Sequence, residues 1–262
     1  MIVGLVTLLL VGCGPQLRSA IPPTATPTAA SASATPTLGG TVTVLAAESL
    51  QRAFESLRRA FGAVDPGTDV ELSFGHSPAQ VVALREGAPG DVPAAAAAEP
   101  VAAAQRFDLL AGSATVFARN SLQIVVARGD PKGITSIGDL ARPGLTVLLP
   151  DPATPAGAAA ARVVAASGTQ LRPTSYGAGT EQVMTTVRLG EADAGIVFVT
   201  DVRAAGDAVT GVAIPDEVNV VLDYPIAVLA AAHSPDAARR FVDFVESAAG
   251  RAVLDHLGFR MP

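Results

Sequence analysis

The stretch "TVTVLAAESLQRAFESLRRAF", residues 41–61, decides how this chain is to be read. Its first part, Val42 to Ala47, is a β-rich apolar run that stops at Glu48-Ser49. A helical pattern starts at once, with Leu50, Phe54, Leu57 and Phe61 recurring at spacings of three and four. Ser49 is placed to cap that helix. The same place suits an anion, because the N–H groups of a first helical turn have no partner within the helix and the positive end of its dipole points outward.

Outward from there the alternation continues. "DVELSF" (69–74) reads as a strand, followed by "GHSPAQ" and a helix through Val81 and Leu84. "GAPGDVPAAAAA" carries a turn and a short apolar run. "SLQIVVA" (121–127), "LTVLLP" (145–150), "AGIVFV" (194–199) and "YPIAVLAAA" (224–232) read as strands. "SIGDLARPG" is a short helix stopped by Pro143-Gly144. "TPAGAAAARVVAASG" (154–168) is a helix capped by Thr154, with Pro155 at its first position and Gly168 as its stop. "GTEQVMTTVRLG" (179–190) is another, and residues 236–258 close the chain as one or two more. Strands alternating with helices predict an α/β fold with mixed, mostly parallel sheets.

Three spots share one local layout. Ser49 follows a strand and starts a helix; Ser77, beside Pro78, does the same after "SFGH"; Ala156 and Gly157 lie in the first turn after "LTVLLP". In open α/β sheets, ligands bind at the carboxyl ends of the strands, where these helix starts sit. Several such starts converging would cradle an anion without a cation.

Composition narrows the chemistry. The chain has 262 residues, 49% hydrophobic and 16% charged, enough for one large domain or two lobes with real cores. A net charge of −6 excludes the clustered basic footprint of a nucleic-acid binder. Bound anions would be held by local donors. His76, His233 and His256 are scattered, so no metal cluster and no cationic metal site is expected. No GxSxG, P-loop or Cys/His pair is present, and "GAGT" (177–180) is too short for a phosphate loop. An enzyme is the weaker reading, and no cofactor is expected.

The N-terminal run "MIVGLVTLLLVGC" is too short to span a membrane and suits a signal segment. "LVGC" is similar to a bacterial lipobox, so residues 1–13 read as a lipoprotein signal with Cys13 as the lipidated residue. No Lys or Arg precedes the run, the first being Arg18, and the natural start is expected further upstream. Residues 14–40, rich in Pro, Thr, Ala and Ser with almost no charge, read as a disordered tether. The expected location is the outer face of the cytoplasmic membrane.

Residues 41–262 resemble the molybdate-binding proteins of bacterial ABC importers, which are type II periplasmic binding proteins. The resemblance rests on "VTVLAAESL", "SFGHSPAQVVALREGAPGDV", "DPATPAG", "GEADAGIVFVTD", "YPIAVL" and "GRAVLDHLGF", in the family's order and spacing. It implies a monomer that captures molybdate or tungstate in a cleft and delivers it to a membrane permease. The family's two serine hydroxyl positions fall on Ser49 and Ser77, and its backbone-amide positions on Ala156 and Thr180. Its tyrosine hydroxyl position falls on Phe198, which has no donor. Two more departures are Glu48, where the family tends to alanine, and "DVPAAAAAEP", where it usually reads "DVFASAD". Glu48 has three readings: a solvated residue at the cleft rim, a partner of the neighbouring His76, or an acceptor for a monoprotonated oxyanion such as phosphate.

The same resemblance implies two lobes, 41–120 with 225–262 and 121–224, with the chain passing between them near "NSLQIVV" and "LDYPIAV". Two other classes stay open at this level: an α/β enzyme with a degenerate site, and a lipoprotein that has left transport for an interaction role. Binding of sulfate or phosphate instead is a further alternative.

Overall fold

A computed structural model describes residues 39–262. The signal segment with Cys13 and most of the tether lie outside the described residues. The opening motif folds as its pattern predicts. Strand β1 (Gly40–Ala47) passes through a single 3-10 turn, Glu48–Leu50, into helix α1 (Gln51–Val64), whose buried face is Ala53, Phe54, Leu57 and Phe61. Then come β2 (Thr68–Gly75), α2 (Ser77–Arg85), β3 (Val92–Ala94), α3 (Ala98–Arg106) and the 13-residue β4 (Thr115–Ala127). The middle of the chain supplies β5 (Val147–Pro150), α4 (Pro155–Ala166), β6 (Ser175–Gly177), α5 (Thr180–Arg188), β7 (Ala194–Phe198), α6 (Val199–Ala205) and β8 (Val209–Ala213). Finally β9 (Val221–Ile226) leads to α7 (Pro235–Glu246) and α8 (Ala248–His256).

The strands join in the order β2-β1-β3-β9-β4-β7-β5-β6, with β8 also on β4. Pairing is parallel at both ends, β2-β1-β3 and β7-β5-β6, and antiparallel around β4 and β9. Strand β4 is shared: Thr115–Ser121 pair with β9, whereas Leu122–Val126 pair with β7. On either side of that change of partner sits a separate core. One packs Phe54, Phe61, Phe117, Tyr224, Phe241 and Phe244; the other packs Leu122, Ile124, Ile134, Val163, Ile196 and Phe198. The fold is a two-lobed α/β structure of the type II periplasmic-binding kind.

Local differences from the sequence reading have plain causes. The predicted strand 224–232 ends at Ile226, because Leu229 and its neighbours turn to bond Asp91 and Leu109 instead. The C-terminal helical stretch breaks at Ser247, whose hydroxyl accepts from Gly250 N–H at 3.2 Å and starts α8. "SIGDLARPG" yields only a one-turn 3-10 helix, Gly138–Ala141. Helix α4 follows prediction: Thr154 Oγ1 accepts from Gly157 N–H at 3.1 Å, and Gly168 stops the helix at a φ of +69°. Gly157 is obligatory there, since a Cβ would lie 2.0 Å from the carbonyl oxygen of Asp151. No helix among the described residues is long and apolar enough to cross a membrane.

Candidate functional site

Parallel strands in each lobe end on one edge. In the first lobe β1 ends at Ala47 and β2 at Gly75, in register with each other. In the second, Pro150 of β5 is in register with Gly177 of β6, and β7, parallel to β5, ends at Phe198. Helices α1, α2, α4, α5 and α6 begin at or just beyond these ends. The two edges face one another across a cavity of about 440 Å³ lined by Glu48, His76, Ala178, Gly179, Glu181, Gln182, Thr185 and Thr186. Among the described residues no Lys or Arg lines it. A second cavity of about 380 Å³, lined by Ser56, Ala252, Val253, His256 and Leu257, is largely apolar and lies away from the strand ends. Among the described residues no cluster of His, Cys, Asp and Glu could hold a metal ion.

The expected site residues fall at these helix starts. Ser49 is exposed, in the 3-10 turn beside Glu48. It does not cap α1: the cap positions are Ala47 for the turn and Leu50 for the helix, neither with a side-chain bond. The extra 3-10 turn displaces the serine from the cap position. Ser77, 8% exposed, is the first residue of α2 with Pro78 next to it, and His76 precedes it at the cap position in extended backbone. Gln80 ties this helix to β1 by donating to the carbonyl of Ala46 at 3.2 Å. Ala156 is buried in the first turn of α4, which Thr154 caps.

Thr180 opens α5, near enough to Asp201 to favour that carboxylate's charged form. Asp201 reaches back to accept from Phe198 N–H at 3.1 Å, satisfying a free donor at the start of α6. Burial pushes the Asp201 carboxyl up to about 6, against the lowering effect of Thr180 and of the Phe198 hydrogen bond; Glu181 raises it further and Arg52 lowers it. Phe198 is 2% exposed at the end of β7, its ring edge-on to Tyr224 at 6.3 Å. Glu48 and His76 stand 4.0 Å apart at the rim, with side chains 62% and 65% exposed. Of the expected residues, Glu48 and His76 line the cavity; Ser49 and Thr180 are chain neighbours of lining residues, and Ser77, Ala156 and Phe198 are buried at the strand and helix ends and are not part of its lining.

Four residues escaped the sequence reading: Asn120, Thr200, Asp201 and Tyr224. Asn120 and Thr200 are buried polar groups bonded to each other at 3.0 Å. Tyr224 is one of only two tyrosines in the chain and is wholly buried, which raises its pKa above the usual value. Its presence at the start of the "YPIAVL" strand, in a chain without Trp, was the available signal.

Residues 42–260 match the family model described as bacterial extracellular solute-binding protein. A curated relative from Mycobacterium bovis (strain ATCC BAA-935 / AF2122/97), "Molybdate-binding protein ModA", is 42% identical over 234 residues, covering 89% of this chain and 90% of the relative. Among solved structures, the periplasmic molybdate-binding protein of Azotobacter vinelandii superposes with a TM-score of 0.72 at 19% identity, over 84% of this chain and 99% of that one. The sulfate-binding protein SubI of Mycobacterium tuberculosis H37Rv gives 0.71 at 22% identity, over 84% and 86%. At those identities the two structures speak for the fold alone.

Proposed function

The chain belongs to the bacterial extracellular solute-binding protein family, and from that premise we propose that its solute is a tetrahedral oxyanion, molybdate and with it tungstate. The observation that carries this reading is a cleft edged by helix starts and hydroxyls, with no Lys or Arg on its walls among the described residues. A dry, unpaired dianion is very costly, so each oxygen must find a donor. Helix starts supply N–H groups already aligned, and Ser49 and Ser77 add hydroxyls. Each hydrogen bond to a charged group is worth roughly 1.5–3 kcal/mol. In this reading Ser49 and Ser77 donate from their side chains and Ala156 and Thr180 from their backbones, while Phe198 only walls the site.

We assign 41–120 with 225–262 to one lobe and 121–224 to the other. β4 and β9 carry the chain between them, and ligand closes the lobes for presentation to a permease. Cys13 anchors a monomer to the membrane by lipid, with 14–40 as tether. A single acyl chain holds only marginally, so a second is expected. The protein performs no catalysis.

A second reading has one observation in its favour: the carboxylates Glu48 and Glu181 on the cavity wall would suit an anion that brings its own proton. Thermal melting separates the readings. Molybdate and tungstate should raise the melting temperature, since saturation to a hundred times Kd adds about 2.7 kcal/mol. A shift with phosphate but not molybdate would favour the second. For the anchor, Cys13→Ser should move the full-length protein from membrane to soluble fraction; no change would refute lipidation.

A further inference from the structure

The cavity between the two lobe edges is unevenly charged. Glu48 and Glu181 stand on its wall, one from each lobe, and among the described residues no Lys or Arg joins them. His76 is the one lining side chain able to carry a positive charge. Its Nε2 lies 4.0 Å from Glu48 Oε2, and both side chains are more than half exposed. Neither Arg52 of α1 nor Arg85 of α2 is on the wall. Arg85 lies over the Phe107 ring at 3.9 Å, and Arg52 bears on the buried Asp201. The fold itself does not call for histidine here. His76 holds the cap position of α2 through its backbone, whose carbonyl accepts from Gln80 N–H at 3.1 Å, and its side chain makes no cap bond.

A dianion entering this cavity passes two carboxylates. Imidazole is the side chain that ordinarily changes charge between about pH 5 and pH 8. With a proton it offsets one carboxylate and attracts the anion; without one the wall is negative only. Anion and proton therefore favour each other, and the coupling is reciprocal. Resting on the oxyanion reading above, we propose that His76 is an affinity-determining residue of this cleft and that the protein takes up its dianion together with a proton. The proton comes from solvent and settles on the imidazole. The anion keeps both its charges, and no covalent bond to it forms or breaks. An anion that brings its own proton to Glu48 is the opposite case, because there the ligand carries the proton and here the protein does. One charge facing a dianion across a water-filled cleft changes affinity by about fourfold.

The test is isothermal titration with micromolar molybdate at low salt, in buffers of different ionisation enthalpy, so that protons are counted with the anion. Molybdate stays a dianion across the range used. Near pH 6.8 the wild type should take up about a third of a proton per anion, and its Kd should rise about threefold from about pH 6 to about pH 8. His76→Gln should lose both the uptake and the slope while its melting temperature without ligand stays near that of the wild type. His76→Arg, with its charge fixed, should lose both as well and should not bind more weakly than the wild type at the higher pH. Glu48→Gln should keep the uptake and bind more tightly. Asp201, raised to about 6, is the other group able to take a proton in this range, and Asp201→Asn should keep the uptake too. Uptake that survives in either His76 variant, or that vanishes in Glu48→Gln or Asp201→Asn, overturns the proposal. A wild type that binds molybdate with no proton and a flat Kd removes this inference alone; a wild type that binds no molybdate at any of these pH values removes the oxyanion reading with it.

Discussion

The two lobes are built from different material. The first core is aromatic: Phe54 meets Phe117 edge-on at 5.8 Å and Phe241 at 6.2 Å, and Phe61 meets Phe241 at 5.3 Å and Phe244 at 5.4 Å. The second is aliphatic, with Phe198 the sole ring in its buried set among the described residues. The edges differ as well. The first lobe offers serine side chains and two neighbouring exposed side chains, Glu48 and His76, 4.0 Å apart; the second offers helix starts, small residues and a carboxylate, Asp201. The lesson is a division of labour. Interlocked rings fix the first lobe's edge, while the second lobe's Gly157 and Ala156 let backbone itself come close, a role for which small residues are needed.

The largest expected effect tests the cores. Phe241→Ala or Phe54→Ala should cost about 3–5 kcal/mol in urea unfolding, whereas Ile196→Val in the second core should cost about 0.5–1.5 kcal/mol. Equal costs from matched truncations, such as Leu57→Ala against Leu122→Ala, would be expected if only volume matters; a first lobe no more sensitive to its rings than to its leucines would break the contrast.

The next effect tests the edges. Asp201 has its folded pKa raised from 3.8 to about 6. Between those values the folded protein holds a proton that the unfolded chain has lost, so stability falls as pH rises through that window and stays lower above it. The loss is roughly 3 kcal/mol, since each tenfold difference in acidity between the folded and unfolded carboxyl is worth about 1.36 kcal/mol. Asp201→Asn should flatten this slope in pH-dependent melting; an unchanged slope would place the cost elsewhere.

A third change sharpens the edge comparison by giving the second lobe a side-chain donor. Phe198→Tyr should tighten molybdate binding by about 1.5–3 kcal/mol if the new hydroxyl reaches the anion. Calorimetry would read this directly, and weaker binding would show that the ring's hydroxyl end points into the core. The smallest effect belongs to the rim. Glu48→Ala removes an exposed partner of His76, and exposed pairs contribute about 0–1 kcal/mol. Any tightening of molybdate should show at low salt and fade at physiological salt, where the Debye length is about 8 Å. Loss of anion binding in Glu48→Ala would instead make Glu48 an acceptor.

The sequence made these edges readable unevenly. The Leu50-Phe54-Leu57-Phe61 spacing gave α1, and the Thr154-Pro155 start gave α4, because each depends on neighbours along the chain. Strands β6 and β8 were not legible: each is short, and β8 is held by pairing with β4 far away in sequence. Ser49 could be placed at the helix start but not off the cap, since the 3-10 turn that displaces it is a local backbone detail. Asp201, Asn120 and Tyr224 stayed hidden for a different reason. Their significance lies in contacts between β4, α6 and β9, which no local pattern records.

The central claim is that hydroxyls and helix starts, without a cation, hold a tetrahedral dianion between these two edges. Isothermal titration of the protein with molybdate tests it most directly. The account predicts saturable one-site binding, weakened in both Ser49→Ala and Ser77→Ala while their melting temperatures without ligand stay near that of the wild type. Absence of binding heat with molybdate, tungstate, sulfate and phosphate at millimolar concentration would contradict it.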